Sequence, residues 1–337
     1  MLKLNSIFFF NSMILGTLIA ISSYSWLGMW MGLEVNLLSI IPLMNSSKNM
    51  YASEASLKYF ITQTMASLIL LLSIILMLVS TEFITPMVNS TLKTLLNSAL
   101  LTKLGAAPFH YWFPEVMEGL SWFNCAILLT WQKIAPMVLL MNNPCQMNFI
   151  VFIILASLTV SILMSLNQIS LRKIMAFSSI NHIAWMLSAS LVSPSVWLIY
   201  LACYMVITLN ITFLFNHGNL LFVNQLPLTL KDSKITKLSL MVNFLSLGGL
   251  PPFLGFLPKW FTINWMVAFG LPILAFILIV MTLVMLFVYV RVLMPALLIQ
   301  NHETKLPVEN LKEFPAFVFN FVSLFSLTAC TFLFNLI

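Results

Sequence analysis

Residues 105–115 read GAAPFHYWFPE and residues 249–259 read GLPPFLGFLPK. At a shift of 144 positions they share Gly105/Gly249, Pro108/Pro252, Phe109/Phe253 and Pro114/Pro258. Trp112 falls on the aromatic Phe256, and Glu115 falls on Lys259. Both stretches interrupt long apolar runs. Glycine weakens a helix by its backbone freedom, and proline by its missing N–H and its clash with the preceding turn. One interruption alone would mean little, because both residues are common in membrane-spanning helices. The same interruption made twice, with four of eleven positions shared, reads as an internal repeat.

The setting of these breaks is a membrane. The chain has 337 residues, 61% hydrophobic and 7% charged, whereas about a quarter of a soluble domain is charged. Apolar stretches able to cross a hydrocarbon core of about 20 residues occur near 5–22, 24–44, 57–80, 91–112, 121–141, 147–167, 171–190, 195–216, 238–265 (broken), 271–297 and 315–336. The expected fold class is therefore all-α and polytopic, with about 11 transmembrane helices. The alternating short strands of a β-barrel are absent. An odd number of helices, roughly five, separates the two breaks, so the second copy is expected to be inverted relative to the first. Two inverted five-helix repeats with broken helices are the architecture of ion-coupled transporters. One membrane domain is expected over 1–337, with a first repeat at about 1–142, a second at about 147–298 and a C-terminal helix at about 315–337.

Charge placement gives sidedness. With eleven spans, Lys3, Lys48, Lys58, Arg172, Lys173, Lys231, Lys234, Lys237, Lys305 and Lys312 fall on the N-terminal side, and little beyond Lys93 falls opposite. The positive-inside rule then puts the N-terminus in the cytoplasm or matrix and the C-terminus outside. Most of these lysines read as topology-setting loop charges that can also meet anionic lipid headgroups. The first residues read as a retained span, with a cleaved signal peptide as the alternative; an Arg/Ser-rich transit peptide is not evident.

Several function classes drop out. The net charge of +6 comes from scattered residues, which is not a nucleic-acid footprint. Cys125, Cys145, Cys203 and Cys330 form no CxxC or Cys/His ligand set, so no metal or iron–sulfur site is expected in this chain. No GxGxxG follows a strand pattern, so a nucleotide site is equally unsupported.

What remains is charge inside the membrane. Glu34, Lys103, Lys133 and Lys259 lie within or beside apolar spans, Lys103 just before the first break and Lys259 following the second. Each costs about 2.5–3.5 kcal/mol at a helix centre even on a mild scale, so they are expected to face a hydrated interior and to pair with one another. A neighbouring opposite charge favours the ionised forms and burial opposes them. A Glu34–Lys103 pair whose separation changes is thus able to load or release a proton on Lys133. Lys259 has an alternative, snorkelling to an interface. His182, in SSINHIAWM, suits either a proton relay or a helix-packing hydrogen bond. His110, within the first break, is similarly placed, with capping of freed backbone as the alternative. Glu115 and Glu118 are expected at the membrane edge, where proton entry is a second reading.

TKLGAAPFHYWFPEV, TWQKIAP, SLRKIMAFSSINHIAWM and LSLGGLPPFLGFLPKW, in this order, resemble the subunit 2 family of mitochondrial NADH:ubiquinone oxidoreductase (respiratory complex I). The resemblance covers essentially the whole chain. It implies an antiporter-like membrane-arm subunit of the animal mitochondrial type, taking part in proton translocation across the inner mitochondrial membrane. It carries the input glutamate onto Glu34, the broken-helix lysine onto Lys103, the central lysine onto Lys133, the terminal lysine onto Lys259 and the intramembrane histidine onto His182. It also implies that this chain binds no cofactor, and that NADH, FMN, iron–sulfur clusters and ubiquinone belong to partner subunits. The implied partners are neighbouring antiporter-like and small membrane subunits and phospholipids, with cardiolipin a candidate, and no nucleic acid. The N-terminus would face the matrix and the C-terminus the intermembrane space. A stand-alone cation/proton antiporter and a structural spacer subunit are the competing readings.

Overall fold

The computed structural model describes residues 2–45, 49–80, 86–143, 146–229 and 234–298. The span expected at 315–336, together with Lys48, Lys231, Lys305, Lys312, Cys145 and Cys330, lies outside the described residues. Among the described residues the architecture is helical: α1 (Leu2–Ser22), α2 (Trp26–Met44), α3 (Met50–Ser80), α4 (Pro86–Leu104), α5 (Trp112–Gly119), α6 (Trp122–Leu129), α7 (Ile134–Asn142), α8 (Met147–Ser165), α9 (Leu171–Val192), α10 (Pro194–His217), α11 (Leu226–Thr229), α12 (Lys234–Gly248), α13 (Phe256–Ala268) and α14 (Pro272–Leu298). Among the described residues, eight candidate spans are long and apolar enough to cross a membrane, the α6–α7 segment counting as one. The broken segments α4–α5 and α12–α13 are not among those eight.

Helix starts follow local chemistry. The Ser25 side chain accepts from Gly28 N at 3.2 Å to cap α2. Ser193 does the same for Val196 N ahead of α10, with Pro194 in the first turn where its missing N–H costs nothing. Buried hydroxyls are satisfied within their own helices: Ser39, Ser73, Ser161, Ser178 and Ser188 each donate to the carbonyl three residues earlier. That matters where no water is available to take the bond.

Two compact units meet at Ala156/Ser157, inside α8. In the first, α1 packs along α2, α2 against α3, α3 against α4 and α5, and α7 against α1 and α4. The α1–α2 seam is close: a Cβ on Gly32 would stand 2.5 Å from the backbone nitrogen of Ala20. In the second, α9 packs against α10 and α13, α10 against α12 and α13, and α14 against α12 and α13. Helix α9 is the core helix of this unit, buried from Ile174 through Ala189.

The sequence register of 144 extends well beyond the two breaks. Helix α4 ends at Leu104 and α12 at Gly248, while α5 begins at Trp112 and α13 at Phe256. The helices also correspond in order, with α3 starting at Met50 and α10 at Pro194. At the start of the breaks the hydrogen bonds match, and they differ where the loops close, with Phe113 N donating to His110 O in the first and Phe256 N to Phe253 O in the second. Gly105 N donates to Leu101 O and Thr102 O, Ala106 N to Leu101 O and Phe109 N to Ala106 O. Gly249 N donates to Leu245 O and Ser246 O, Leu250 N to Leu245 O and Phe253 N to Leu250 O. The two glycines have φ of +76° and +79°, the left-handed region that side chains with a Cβ disfavour.

Three sequence expectations change. The span at 91–112 ends at Leu104, and the residues after the loop form a half-helix, α5, rather than a connection. The span at 121–141 is not continuous: Trp131–Lys133 form a 3-10 turn between α6 and α7. Pro136 explains part of this, since it has no N–H to give to the Gln132 carbonyl. The Thr130 hydroxyl, donating to Ala126 O at 2.7 Å, accompanies the end of α6. Finally, Lys58 is not a loop charge. It sits on α3, between Glu54 at 3.1 Å and Glu115 at 3.0 Å.

A candidate ion-handling site at the helix breaks

Every break carries an ammonium group. Lys103 lies in the last turn of α4, at the carbonyl end of the helix, where a positive charge is favoured. Its Nζ stands 4.0 Å from Glu34 Oε1 on α2, with the lysine side chain only 5% exposed and the carboxylate 22%. The acid and base singled out from the sequence are thus brought together. They meet at the outer limit of an ion pair, close enough for attraction and not in a tight hydrogen bond.

Lys133 is the last residue of the 3-10 turn and is 2% exposed. Its neighbour Gln132 makes a reciprocal amide pair with Asn36 of α2: Asn36 Nδ2 donates to Gln132 Oε1 and Gln132 Nε2 donates to Asn36 Oδ1, each at 2.9 Å. Leu33, Asn36, Leu37, Tyr59, Gln63, Lys103, Gln132 and Pro136 enclose a small cavity with room for about one water molecule. The polar residues of its wall are Lys103, Gln63, Tyr59 and the amide pair.

Lys259 is in the first turn of α13 and buried. It reaches back across the break and donates to Leu247 O at 3.1 Å and Gly248 O at 2.9 Å, the carbonyls that the end of α12 leaves open. The ammonium also stands 5.6 Å from the centre of the Trp185 ring of α9, within range of a cation–π attraction. The snorkelling alternative is therefore set aside, because the side chain points into the protein. The sequence-based expectation of a carboxylate partner does not describe it either. Gly249 makes room for it: a Cβ there would lie 2.7 Å from Lys259 Cδ.

His182 is buried at the middle of α9, with Nδ1 2.8 Å from the Tyr200 hydroxyl of α10. Its ring lies 5.0 Å from that of Tyr204, whose hydroxyl bonds Ser179. The hydroxyl of Tyr289 of α14 is buried near Ser178, with no hydrogen bond to it. Histidine, tyrosines and serines thus form a polar cluster within the second unit. His110 is buried in the first break with its ring against Tyr111. Glu115 is exposed at the start of α5. Among the described residues, no group of three or more His, Cys, Asp or Glu is placed to hold a metal ion.

A family of transmembrane segments, described as NADH:quinone oxidoreductase/Mrp antiporter, matches residues 23–285. NADH-ubiquinone oxidoreductase chain 2 of Anopheles gambiae is 49% identical over 292 residues, covering 86% of this chain and 85% of the mosquito protein. The chain belongs to the NADH-ubiquinone oxidoreductase chain 2 family. Among solved structures, a chain of respiratory complex I from Thermus thermophilus, determined with bound aureothin, superposes with a TM-score of 0.84 at 21% identity, over 96% of this chain and 78% of that one. A chain of the Mrp complex from Dietzia sp. DQ12-45-1b gives 0.79 at 16% identity, over 94% and 74%. These last two likenesses concern the fold.

Within the chain 2 family fold, sequence reasoning missed two features of the site. The Asn36–Gln132 pair joins residues 96 apart, and no local spacing announces it. The indole of Trp112, which donates to Thr102 O at 3.1 Å and so adds a side-chain bond to a carbonyl of the first break, was legible only as an aromatic match to Phe256.

Proposed function

We propose that this chain takes part in proton translocation as a core membrane-arm subunit of respiratory complex I, driven by NADH oxidation and ubiquinone reduction in other subunits. Its place is the mitochondrial inner membrane, as a multi-pass protein with the N-terminus on the matrix side. Its two sequence repeats, at about 1–142 and about 147–298, act as inverted copies of one another. NADH, FMN, the iron–sulfur clusters and ubiquinone are held by partner subunits, and this chain contributes no redox centre. Neighbouring antiporter-like and small subunits flank it, and phospholipids, cardiolipin among them, fill the remaining perimeter.

The observation that carries the reading is the Glu34–Lys103 pair, 4.0 Å apart at the end of a broken helix. A rigid structural salt bridge gains most from closer, hydrogen-bonded contact. A pair at the limit of contact, beside a helix end and a one-water cavity, is suited to opening and closing. When the two separate, the field felt by Lys133 beyond the amide pair changes, and the proton carried there is held or passed on. Within the second unit, Lys259 and His182 handle protons in the same way.

The test is the number of protons moved per NADH oxidised in intact complex carrying Lys133→Ala or Glu34→Ala. The ratio is expected to fall while assembly persists; an unchanged ratio and turnover in both would overturn the assignment. Cation/proton exchange by the purified chain in liposomes, without an NADH-oxidising partner, would instead favour a free-standing antiporter. Loss of assembly with normal pumping in the residual complex would favour a spacer.

A further inference from the structure

The amide pair is placed where a link between the Glu34–Lys103 pair and Lys133 would have to be. Asn36 sits on α2, two residues after Glu34, and Gln132 sits on the same 3-10 turn as Lys133. The two amides meet in the only way that satisfies one donor and one acceptor on each. Asn36 is buried, so neither amide can trade the partner for bulk water without cost. Beside them the cavity places Lys103 and Gln63 on a shared wall with both amides, and a water there would have the two to four polar partners it needs. The turn is held to the rest of the unit loosely by its own backbone: Lys133 N donates to Thr130 O at 3.3 Å, and Pro136 leaves the Gln132 carbonyl without the next helical bond.

We infer that Asn36 and Gln132 are positioning residues that couple the Glu34–Lys103 pair to Lys133, by clamping the 3-10 turn onto α2 beside the Lys103 cavity. A shift of α2 or of Lys103 reaches Lys133 through this clamp, and a water in the cavity is held by the same groups. The inference rests on the proposed role of Lys133 and names residues that role does not include.

A second amide clasp in the same unit offers an internal control. Asn97 Nδ2 donates to Asn143 O at 3.2 Å and Asn143 Nδ2 donates to Asn97 Oδ1 at 3.0 Å. It ties α4 to the end of α7, is buried, and lines no part of the cavity. Both clasps should matter for folding, and only one should matter for coupling.

The experiment uses intact complex from membranes carrying Asn36→Leu, Gln132→Met, the swap Asn36→Gln/Gln132→Asn, Asn97→Leu and Lys133→Ala. Assembly is read on native gels, and protons moved per NADH on the assembled fraction. The expected result is that Asn36→Leu and Gln132→Met lower the ratio to the Lys133→Ala value, that combining them lowers it no further, and that the swap restores it in part. Asn97→Leu should leave the ratio at wild type even where it reduces the amount of complex. If Lys133→Ala lowers the ratio and both clamp variants do not, the clamp inference fails. If Lys133→Ala itself leaves the ratio unchanged, the underlying reading fails instead. Should the apolar variants not assemble, Asn36→Ser, which keeps a polar group but cannot form the pair, is measured in their place and read against the same two limits.

Discussion

The two Gly-Pro breaks share a backbone and differ in what covers it. Their glycines, the hydrogen bonds that open them and the flanking helix ends coincide at the 144-residue shift. In the first, the carbonyl of Thr102, which already accepts from Gly105 N, is also met by the neutral indole of Trp112, and the loop has room for the exposed Tyr111. In the second, the corresponding position to Trp112 is Phe256, which has no donor, and the carbonyls of Leu247 and Gly248 are met by the ammonium of Lys259. The position matching Tyr111 is Gly255, whose Cβ would be 1.7 Å from Ser246 O. One scaffold is thus closed once by a group that cannot change charge and once by a group that can. The first break leaves its charge, Lys103, free to face Glu34. The second folds its charge into the break itself.

The largest effect expected from this difference is at the glycines. Gly105→Ala and Gly249→Ala both place a Cβ at positive φ, at a cost of about 1–2 kcal/mol. At Gly105 the new atom meets Phe113 Cβ at 3.3 Å, whereas at Gly249 it meets Lys259 Cδ at 2.7 Å and Nζ at 2.9 Å. Displacing that ammonium from its carbonyls adds about 1.5–3 kcal/mol. Native gels should therefore show much less assembled complex for Gly249→Ala than for Gly105→Ala; equal losses would mean that Lys259 does not occupy the second break. An intermediate effect is expected from removing the two covers. Lys259→Met should lower protons moved per NADH, while Trp112→Phe should cost about 1 kcal/mol of stability, read as a lower melting temperature, with the ratio unchanged. A fall in the ratio for Trp112→Phe would make the first break an active element rather than a passive one. The smallest effect belongs to Glu115→Gln, at the position matching Lys259. Its partner Lys58 is surface-exposed and keeps Glu54 at 3.1 Å, so assembly and turnover should stay near wild type.

Legibility in the sequence followed the kind of atom involved. The breaks were readable because glycine and proline act on the chain that carries them. The meeting of Glu34 with Lys103 was readable because an isolated charge in hydrocarbon is costly enough to demand a counter-charge. The partners of Lys259 were not, since they are backbone carbonyls, which every residue possesses. The third break at Trp131–Lys133 was overlooked because its signal, Pro136, acts on the carbonyl four residues upstream rather than at its own position. Lys58 was misplaced because charges near an apolar run mark the membrane edge by habit, whereas α3 begins at Met50 and carries Glu54 and Lys58 within its first three turns. Contacts between residues such as Asn36 and Gln132 leave no trace in spacing at all.

The matched register has a consequence for length. A residue inserted in a helix advances everything after it by about 1.5 Å and turns it by about 100°. Inserted within α4 ahead of Lys103, it would carry the ammonium away from Glu34; within α12, it would slide the carbonyls away from Lys259. Side chains along these helices can be exchanged for others of similar size, but the count of residues between a helix start and its break cannot drift. In this chain the ruler is stricter than the alphabet.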